Sequence, residues 1–459
     1  MLRSHLQALL VAASLLIPSL AISSGACLTG TCHSAVLSVK RPHTPVAGGE
    51  CLACHKQQSA KHPTPGQKGF SLIASGGALC SPCHEQMGKK KNVHQPVKEG
   101  GCLSCHKPHG SDNPSLLTVG EDRSKLCFDC HDAAPFVRQF KHGPVAAGSC
   151  DACHDPHESD EKSLLNGPLR EVCLKCHTDF DQGMKEATSV HGPVRVSPCT
   201  SCHDAHGSDN SSLLLVTSPE LCFQCHKTLQ AKLSDNSRPH KPVVQKGGCS
   251  TCHASHYSKG KRLLQSGEKE LCLQCHGDNK LAPLKNIKEQ LKGKPNLHGP
   301  LAAGRCTGCH DPHGSPNFRL LTGPYPATYY APYTDGAYGF CLRCHEKNLL
   351  RFPDTTVFTK FRNGNRNLHY LHVVNSRKGR SCRACHEPHA SDGPKLTTRE
   401  GTPFGEWKIP FVLELTETGG KCSSGCHQSF AYDRDKAVVN RRMSAPVFGG
   451  KTSATKGDH

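Results

Sequence analysis

The chain has 459 residues and a formal charge of +18 at pH 7, but only 36% of its residues are hydrophobic, 5% are aromatic and one is tryptophan, Trp407. With 43 glycines and 32 prolines as well, this composition excludes long regular elements and conventional domains built on their own apolar cores. The charge alone would suit a nucleic-acid binder, a reading that the 30 cysteines and 32 histidines displace.

Residues 1–26 read as a secretory signal. Arg3 is followed by a mostly apolar run from Leu6 to Leu20, and Ser19-Leu20-Ala21 or Ser24-Gly25-Ala26 offers a cleavage site. The run is short and contains Pro18, which disfavours a membrane span. Export, to the periplasm or to the outer cell surface or beyond, is expected.

From Cys27 onward every cysteine belongs to a pair, and each pair is followed by histidine. The sets are Cys27/Cys32/His33, Cys51/Cys54/His55, Cys80/Cys83/His84, Cys102/Cys105/His106, Cys127/Cys130/His131, Cys150/Cys153/His154, Cys173/Cys176/His177, Cys199/Cys202/His203, Cys222/Cys225/His226, Cys249/Cys252/His253, Cys272/Cys275/His276, Cys306/Cys309/His310, Cys341/Cys344/His345, Cys382/Cys385/His386 and Cys422/Cys426/His427. Thirteen are C-x-x-C-H; the first is C-x4-C-H and the last C-x3-C-H. C-x-x-C-H is the attachment signature of c-type haem. On one helical turn the two cysteines reach the vinyl groups of one porphyrin and the histidine reaches its iron. Zinc sites and redox or disulfide pairs also use C-x-x-C, but neither needs a histidine after every pair. About fifteen haem c groups are implied.

Seventeen histidines lie outside these sets. Setting aside His5, in the signal, and His459, the last residue, fifteen remain: His43, His62, His94, His109, His142, His157, His191, His206, His240, His256, His298, His313, His369, His372 and His389. Fifteen haems and fifteen spare histidines imply bis-histidine ligation, with these as the distal ligands. Met87, Met184 and Met443 are too few for that role. Haem propionates also absorb the charge: at about −1 per ferric haem, the holoprotein falls to about +2 oxidised and about −13 reduced. No nucleic-acid partner is implied.

Cys27 has two possible fates. If cleavage follows Ala26 it becomes the N-terminus and is open to lipidation, leaving fourteen haems. Ser24-Gly25-Ala26 lacks the large apolar residue that a lipobox places three before the cysteine, which favours haem attachment.

From His43 a repeat runs seven times. Its spine is H-x-P-V, C-x-x-C-H-x-x-H, a small polar loop with Leu-Leu, then L-C-x-x-C-H. The copies open at His43, His94, His142, His191, His240, His298 and His369 or His372, with the middle ones spaced by 48 to 50 residues. Each carries two haem motifs and two spare histidines, and is expected to be self-contained. A histidine such as His109 sits on the wrong side of its own porphyrin and should address a neighbouring haem. Prolines such as Pro108 and Pro156 stop the haem-binding turn, and pairs such as Leu164-Leu165 are expected on porphyrin faces, with ordinary loop packing as the plainer account. His62 stands seven residues after His55 instead of three, so the haems at His33, His55 and His427 are those whose distal ligand the spacing does not supply.

Residues 278–297 have a short amphipathic helical pattern and are expected to be a linker. It would separate an N-terminal multihaem region, residues 27–277, from a C-terminal one, residues 298–440. Copy six carries an insertion at residues 324–338 with five of the eight tyrosines. It suits a docking loop, a lid, or a turn-rich loop packed on porphyrin. Residues 411–416 form the one convincing strand, and residues 441–459, with Arg441-Arg442, make a flexible tail. The expected fold is mostly irregular coil with short α-helices and little β-structure, a repeat-based array whose haems form the core.

The phrase at residues 100–111 (G-G-C-L-S-C-H-K-P-H-G-S), with Leu126-Cys127-Phe128-Asp129-Cys130-His131, recurs around Cys150, Cys199, Cys249, Cys306 and Cys382. It resembles the doubled-C-x-x-C-H multihaem cytochromes c of metal- and sulfate-reducing bacteria. That resemblance implies an electron conduit rather than an enzyme, working with other periplasmic cytochromes or an outer-membrane porin complex towards extracellular acceptors. One rival is an oxidoreductase acting on nitrite, hydroxylamine or a sulfur oxyanion through an open iron, although no C-x-x-C-K occurs here. Another is a subunit of a cytochrome filament, in which the His369/His372 pair lets one subunit ligate a haem of the next.

Overall fold

The computed structural model describes residues 27–28, 33–59, 62, 65–85, 87–235, 238–245, 247–277 and 285–441. The signal segment, Cys32, the first part of the expected linker and the end of the tail lie outside them. The architecture is irregular chain punctuated by short helices, none longer than nine residues among those described, and by small antiparallel sheets.

The repeat phrase explains the punctuation. H-x-P-V forms a one-turn helix, as in Thr44–Ala47, Gln95–Lys98, Gly143–Ala146 and Gly299–Ala302, each with the histidine at its N-cap and proline in its first turn. Proline is preset for that position. Each turn is closed by a glycine in the left-handed region, Gly49, Gly100, Gly148 or Gly304, with φ between 69° and 73°. The cysteine motif follows at once.

Copies are tied by a clasp. The two residues before each leading histidine pair antiparallel with the two residues after the H-x-x-H histidine of the next copy. Thus Arg41–Pro42 pairs with Gly110–Ser111, Asn92–Val93 with Glu158–Ser159, Phe140–Lys141 with Gly207–Ser208, Ser189–Val190 with Tyr257–Ser258, and Asn296–Leu297 with Ala390–Ser391. The two histidines are themselves bonded through their backbones. His43 N donates to His109 O at 3.0 Å, His94 to His157 at 2.9 Å, His142 to His206 at 3.0 Å, His191 to His256 at 2.8 Å, His240 to His313 at 3.1 Å and His298 to His389 at 3.1 Å.

The Leu-Leu loop is a strained turn. Two consecutive non-glycine residues are left-handed in each of six copies: Ser115-Leu116, Ser163-Leu164, Ser212-Leu213, Arg262-Leu263, Arg319-Leu320 and Lys395-Leu396, with φ from 52° to 59°. Such residues cost about 1–2 kcal/mol apiece. A buried serine next to the clasp pins the turn: Ser111 Oγ donates to Leu117 O at 2.6 Å, Ser159 to Leu165 O and Ser208 to Leu214 O at 2.5 Å, and Ser315 to Leu321 O at 2.6 Å. Ser258 and Ser391 bond Leu264 and Thr397 in the same way.

Contacts gather the described chain into two units. One takes the residues up to Asp181 together with Ser197–Leu215; the other takes Gln182–Val196 and the residues from Val216 on. The described part of the expected linker falls inside the second unit, where Ile287–Leu291 packs on the helix Glu268–His276.

The second unit has a small apolar core, in keeping with the expectation that the chain has little of its own. Tyr325, Tyr338, Leu350 and Val373 form it, with Tyr338 1% exposed and the Tyr325 and Tyr338 rings edge to face at 5.8 Å. Tyr325, Tyr333 and Tyr338 of the insertion thus belong to this core, beside the attachment cysteines Cys341 and Cys382. Tyr330–Ala331 pairs with Gly379–Arg380, and Tyr329 and Tyr330 pack edge-on against Phe404. The expected strand appears as Phe411–Leu415 and heads a three-stranded sheet with Gly419–Ser424 and His427–Asp433.

Ser208→Ala leaves the Leu214 carbonyl and the Asn210 N–H without the hydroxyl that each bonds. It should lower holoprotein stability by about 1–3 kcal/mol, seen as a lower midpoint in thermal unfolding with haem content unchanged.

Candidate haem sites

In the standard motif the first cysteine opens a single tight turn, and the histidine N–H returns to that cysteine's carbonyl, as from His106 to Cys102 at 3.0 Å and from His154 to Cys150 at 3.1 Å. Both cysteines and the histidine then share one face. The last motif is built differently, which corrects the helical-turn expectation there. Cys422 lies in one strand, His427 opens the next, and the register shifts between Cys422 and Ser424. The extra residue of C-x3-C-H sits in that β-turn, and Cys426 N bonds Ser424 Oγ at 3.4 Å instead of the carbonyl of its partner cysteine.

Among the described residues, histidine rings oppose one another in at least thirteen pairs. Six join a leading histidine to the second motif of its own copy: His43–His84, His94–His131, His142–His177, His191–His226, His240–His276 and His298–His345. Five join the first motif of one copy to the H-x-x-H histidine of the next: His55–His109, His106–His157, His154–His206, His253–His313 and His310–His389. At the ends, His33 faces His62 and His427 faces His372. Ring centroids lie 5.9 to 6.5 Å apart, with planes 8° to 34° from parallel. Two metal–imidazole bonds of about 2.0–2.1 Å, plus roughly 1.1 Å from each nitrogen to its ring centre, require about 6.3 Å.

The copies are therefore not self-contained. Each of these first-motif histidines faces a histidine of the next copy, as the placement of His109 suggested. His33, His55 and His427, whose partners spacing left open, face His62, His109 and His372.

Hydrogen bonds fix which nitrogen faces inward. Leading histidines place Nδ1 on a carbonyl of the next copy's clasp: His43 on Pro108 and His94 on Pro156 at 2.8 Å, His142 on Ala205 and His240 on Pro312 at 2.9 Å, and His191 on Ser255 at 3.0 Å. First-motif histidines place Nδ1 on the carbonyl of the strained turn: His106 on Ser115 and His203 on Ser212 at 2.8 Å, His154 on Ser163 at 2.7 Å, His310 on Arg319 at 2.9 Å, and His253 on Arg262 and His386 on Lys395 at 3.0 Å. A carbonyl only accepts, so Nδ1 carries the proton and the Nε2 lone pair is free for a metal. The serine and the turn that set this geometry are functional parts that the motif search missed; their signal was the recurring H-x-x-H-x-S with Leu-Leu six residues further on.

Burial favours the neutral form, the one that ligates, at nine of the histidines. It pushes His157, His206, His276, His298, His313, His372 and His386 below the usual histidine range, and His369 and His389 down to about 4.

Neighbouring thiols follow the order of the chain. In the first unit Cys51 lies against Cys27, Cys80 beside Cys54 and Cys102, Cys105 by Cys130, Cys127 by Cys150, Cys153 by Cys176 and Cys173 by Cys199. In the second, Cys222 meets Cys249, Cys252 meets Cys275, Cys272 meets Cys306, Cys309 meets Cys341 and Cys344, Cys341 meets Cys382, and Cys385 meets Cys422. Burial, then the adjacent thiol, raises Cys51, Cys80, Cys105 and Cys127. For Cys222, Cys272 and Cys341 the neighbour's hydrogen bond is the larger cause.

Exposure is uneven among the attachment cysteines. In every copy the second cysteine of the second motif is exposed: Cys83, Cys130, Cys176, Cys225, Cys275, Cys344 and Cys426. The first cysteine of that motif is half-buried beside the next site, as Cys222 is beside Cys249. Cys426 departs furthest, lying near Cys385 and hydrogen-bonded with Tyr330 at the rim of the terminal sheet. Cys202 is half-buried but, although it belongs to the first unit, it does not line that unit's cavity, which reaches only Thr200, Ala205 and His206 of its segment.

Haem fits what these residues enclose. The first unit contains a continuous cavity of about 3420 Å³ lined by most of its cysteine pairs, paired histidines and Leu-Leu turns. That exceeds the roughly 300–1,000 Å³ of a single-ligand pocket several-fold, so the space suits a row of cofactors. Lining by Leu116, Leu117, Leu164 and Leu165 agrees with the expected porphyrin-facing leucines.

Cysteine pairs for thioethers, opposed neutral imidazoles and a shared cavity define a multihaem c-type cytochrome, a class that works in electron transfer. A family model described as the doubled CXXCH motif matches seven segments, residues 43–89, 94–136, 142–182, 191–231, 240–281, 298–349 and 373–404. These cover well over half of the chain, which therefore belongs to that family. No curated protein matches it.

Replacing His157 by alanine should convert one haem per chain to high spin, and that haem should belong to copy two. Electron paramagnetic resonance checks this. Adding Cys102→Ser and Cys105→Ser should abolish the high-spin signal, whereas adding Cys150→Ser and Cys153→Ser should leave it.

Proposed function

We propose that this protein is an exported electron relay. It would hold about fifteen bis-histidine haems in file and pass electrons along them in respiration outside the cytoplasmic membrane, towards an extracellular acceptor. The observation that carries this reading is the thiol order: in each unit, attachment sites consecutive in sequence are neighbours in space. Bound haem c supplies a reversible one-electron couple at its iron. The chain's residues set the rest. The paired imidazoles would hold the iron from both sides, Nδ1 donation to carbonyls raises their basicity, and neutral bis-histidine ligation would favour low potentials.

Cys27 stands beside Cys51 as the first cysteines of successive sites do further along, which supports haem attachment there and fifteen haems over fourteen. Two clustered cations suit propionates: Arg319 and Arg383 both lie over the Phe318 ring, at 5.1 and 5.5 Å, next to His389. The secretory reading of residues 1–26 supports a location in the periplasm or at the outer surface. Partners of this chemistry are other cytochromes, an outer-membrane porin complex, or further copies in a filament.

The oxidised holoprotein, with haem quantified, should contain about fifteen haems per chain, all low-spin by electron paramagnetic resonance. A high-spin haem in stoichiometric amount would mark an open iron and replace the relay with an oxidoreductase.

A further inference from the structure

The borrowing rule creates a problem at the C-terminal end. Copies 1, 2, 3, 5 and 6 complete the first-motif site with the H-x-x-H histidine of the following copy. No further copy of the phrase follows copy seven within these 459 residues, so the site at Cys382, Cys385 and His386 has no following H-x-x-H histidine among them. His386 is prepared for a metal like the others, its Nδ1 held by Lys395 O at 3.0 Å.

The same copy carries two leading histidines. Both stand on the helix Leu368–Val373, one turn apart. His372 does the ordinary work of a leading histidine, facing the second motif at His427 with centroids 6.5 Å apart. Its Nδ1 is taken by Leu368 O at 2.7 Å. His369 is surplus to that role yet built as a ligand. Its Nδ1 meets Thr359 Oγ1 at 3.0 Å, an oxygen that also accepts from Phe361 N, and the Phe361 ring stands edge-on to it at 5.1 Å. The helix is fixed by Asn367, fully buried, whose side chain caps Tyr370 N and donates to Leu349 O and Phe352 O. Of the charged groups that act on the buried His369 ring, His386 acts most strongly, ahead of His372.

We propose that His369 is the distal ligand of the haem at Cys382, Cys385 and His386, a capping ligand supplied in cis where a following copy would have supplied one. The N-terminal end mirrors it. The lone motif at His33 is a copy without a second motif, and its site is completed by His62 of copy one, 6.1 Å away. On this assignment the His369/His372 pair is consumed within one chain and lends no ligand to another molecule.

This rests on the bis-histidine reading, which the wild-type spectrum tests separately. Against an all-low-spin wild type, His369→Ala should give one high-spin haem per chain at unchanged haem load, restored to low spin by added imidazole. His372→Ala should give one as well, and the double variant two. His369→Met, which keeps a ligand and so guards against misfolding, should show a methionine-to-iron charge-transfer band and one haem of raised potential. If His369→Ala stays wholly low-spin, or if the double variant shows one high-spin haem, the assignment is wrong.

Discussion

The clasp between successive copies is the constraint from which the remaining structure follows. One backbone hydrogen bond, such as His94 N to His157 O, sets two distal ligands side by side. One ring then turns towards the second site of its own copy and the other towards the first site of that same copy, from outside it. A single bond of this kind contributes only about 1 kcal/mol net. Its importance is geometric, because the flanking strand pair and the Nδ1 bond to Pro156 leave neither ring free to rotate away. The folding element is therefore the junction and not the repeat: an isolated copy lacks a ligand for one site and a partner for its leading strand.

Strain sits beside the clasp and serves it. Two left-handed side-chain-bearing residues in succession would relax in a free loop. They persist because three groups require them at once. The first residue's carbonyl meets the motif histidine, the leucine after the pair bridges to that histidine's backbone, and a buried serine closes the turn. The lysines and arginines at some of these positions show that side-chain identity matters little there. What is specified is the direction of a carbonyl, which keeps the imidazole in one tautomer and strengthens it as a donor to iron.

Covalent and coordinate chemistry was legible because it demands given residue types at given intervals. The fifteen Cys-Cys-His sets, the matching number of spare histidines and the seven-fold phrase need no knowledge of the fold. Which iron a spare histidine serves was not legible. His109 stands three residues from His106 in sequence but faces His55, because the clasp folds one copy back over its predecessor. His62 looked displaced for the same reason; its target is the lone motif at His33. Nor does a motif say which of its thiols faces the next site: Cys222 and Cys225 read alike in sequence, yet one meets Cys249 and the other is exposed. The tyrosines of residues 324–338 were ambiguous because composition does not separate a loop on a cofactor from a core. The long C-x3-C spacing showed its cause only once Cys422 appeared in a hairpin.

Apolar burial is unevenly distributed along the linear array. Interior copies are covered on both sides, by cofactor and by neighbours, and need almost no core: Val172 is the one buried apolar side chain before Tyr325 among the described residues. Copies six and seven carry protein packing that the earlier copies lack. This is where Tyr325, Tyr338, Leu350, Val373, Phe411 and Tyr432 are buried and where the one three-stranded sheet among the described residues forms. The insertion in copy six belongs to the same solution, since Tyr325 Oη accepts from Arg383 N and so braces the first motif of copy seven. The chain places its few buried large apolar residues where protein takes over the packing.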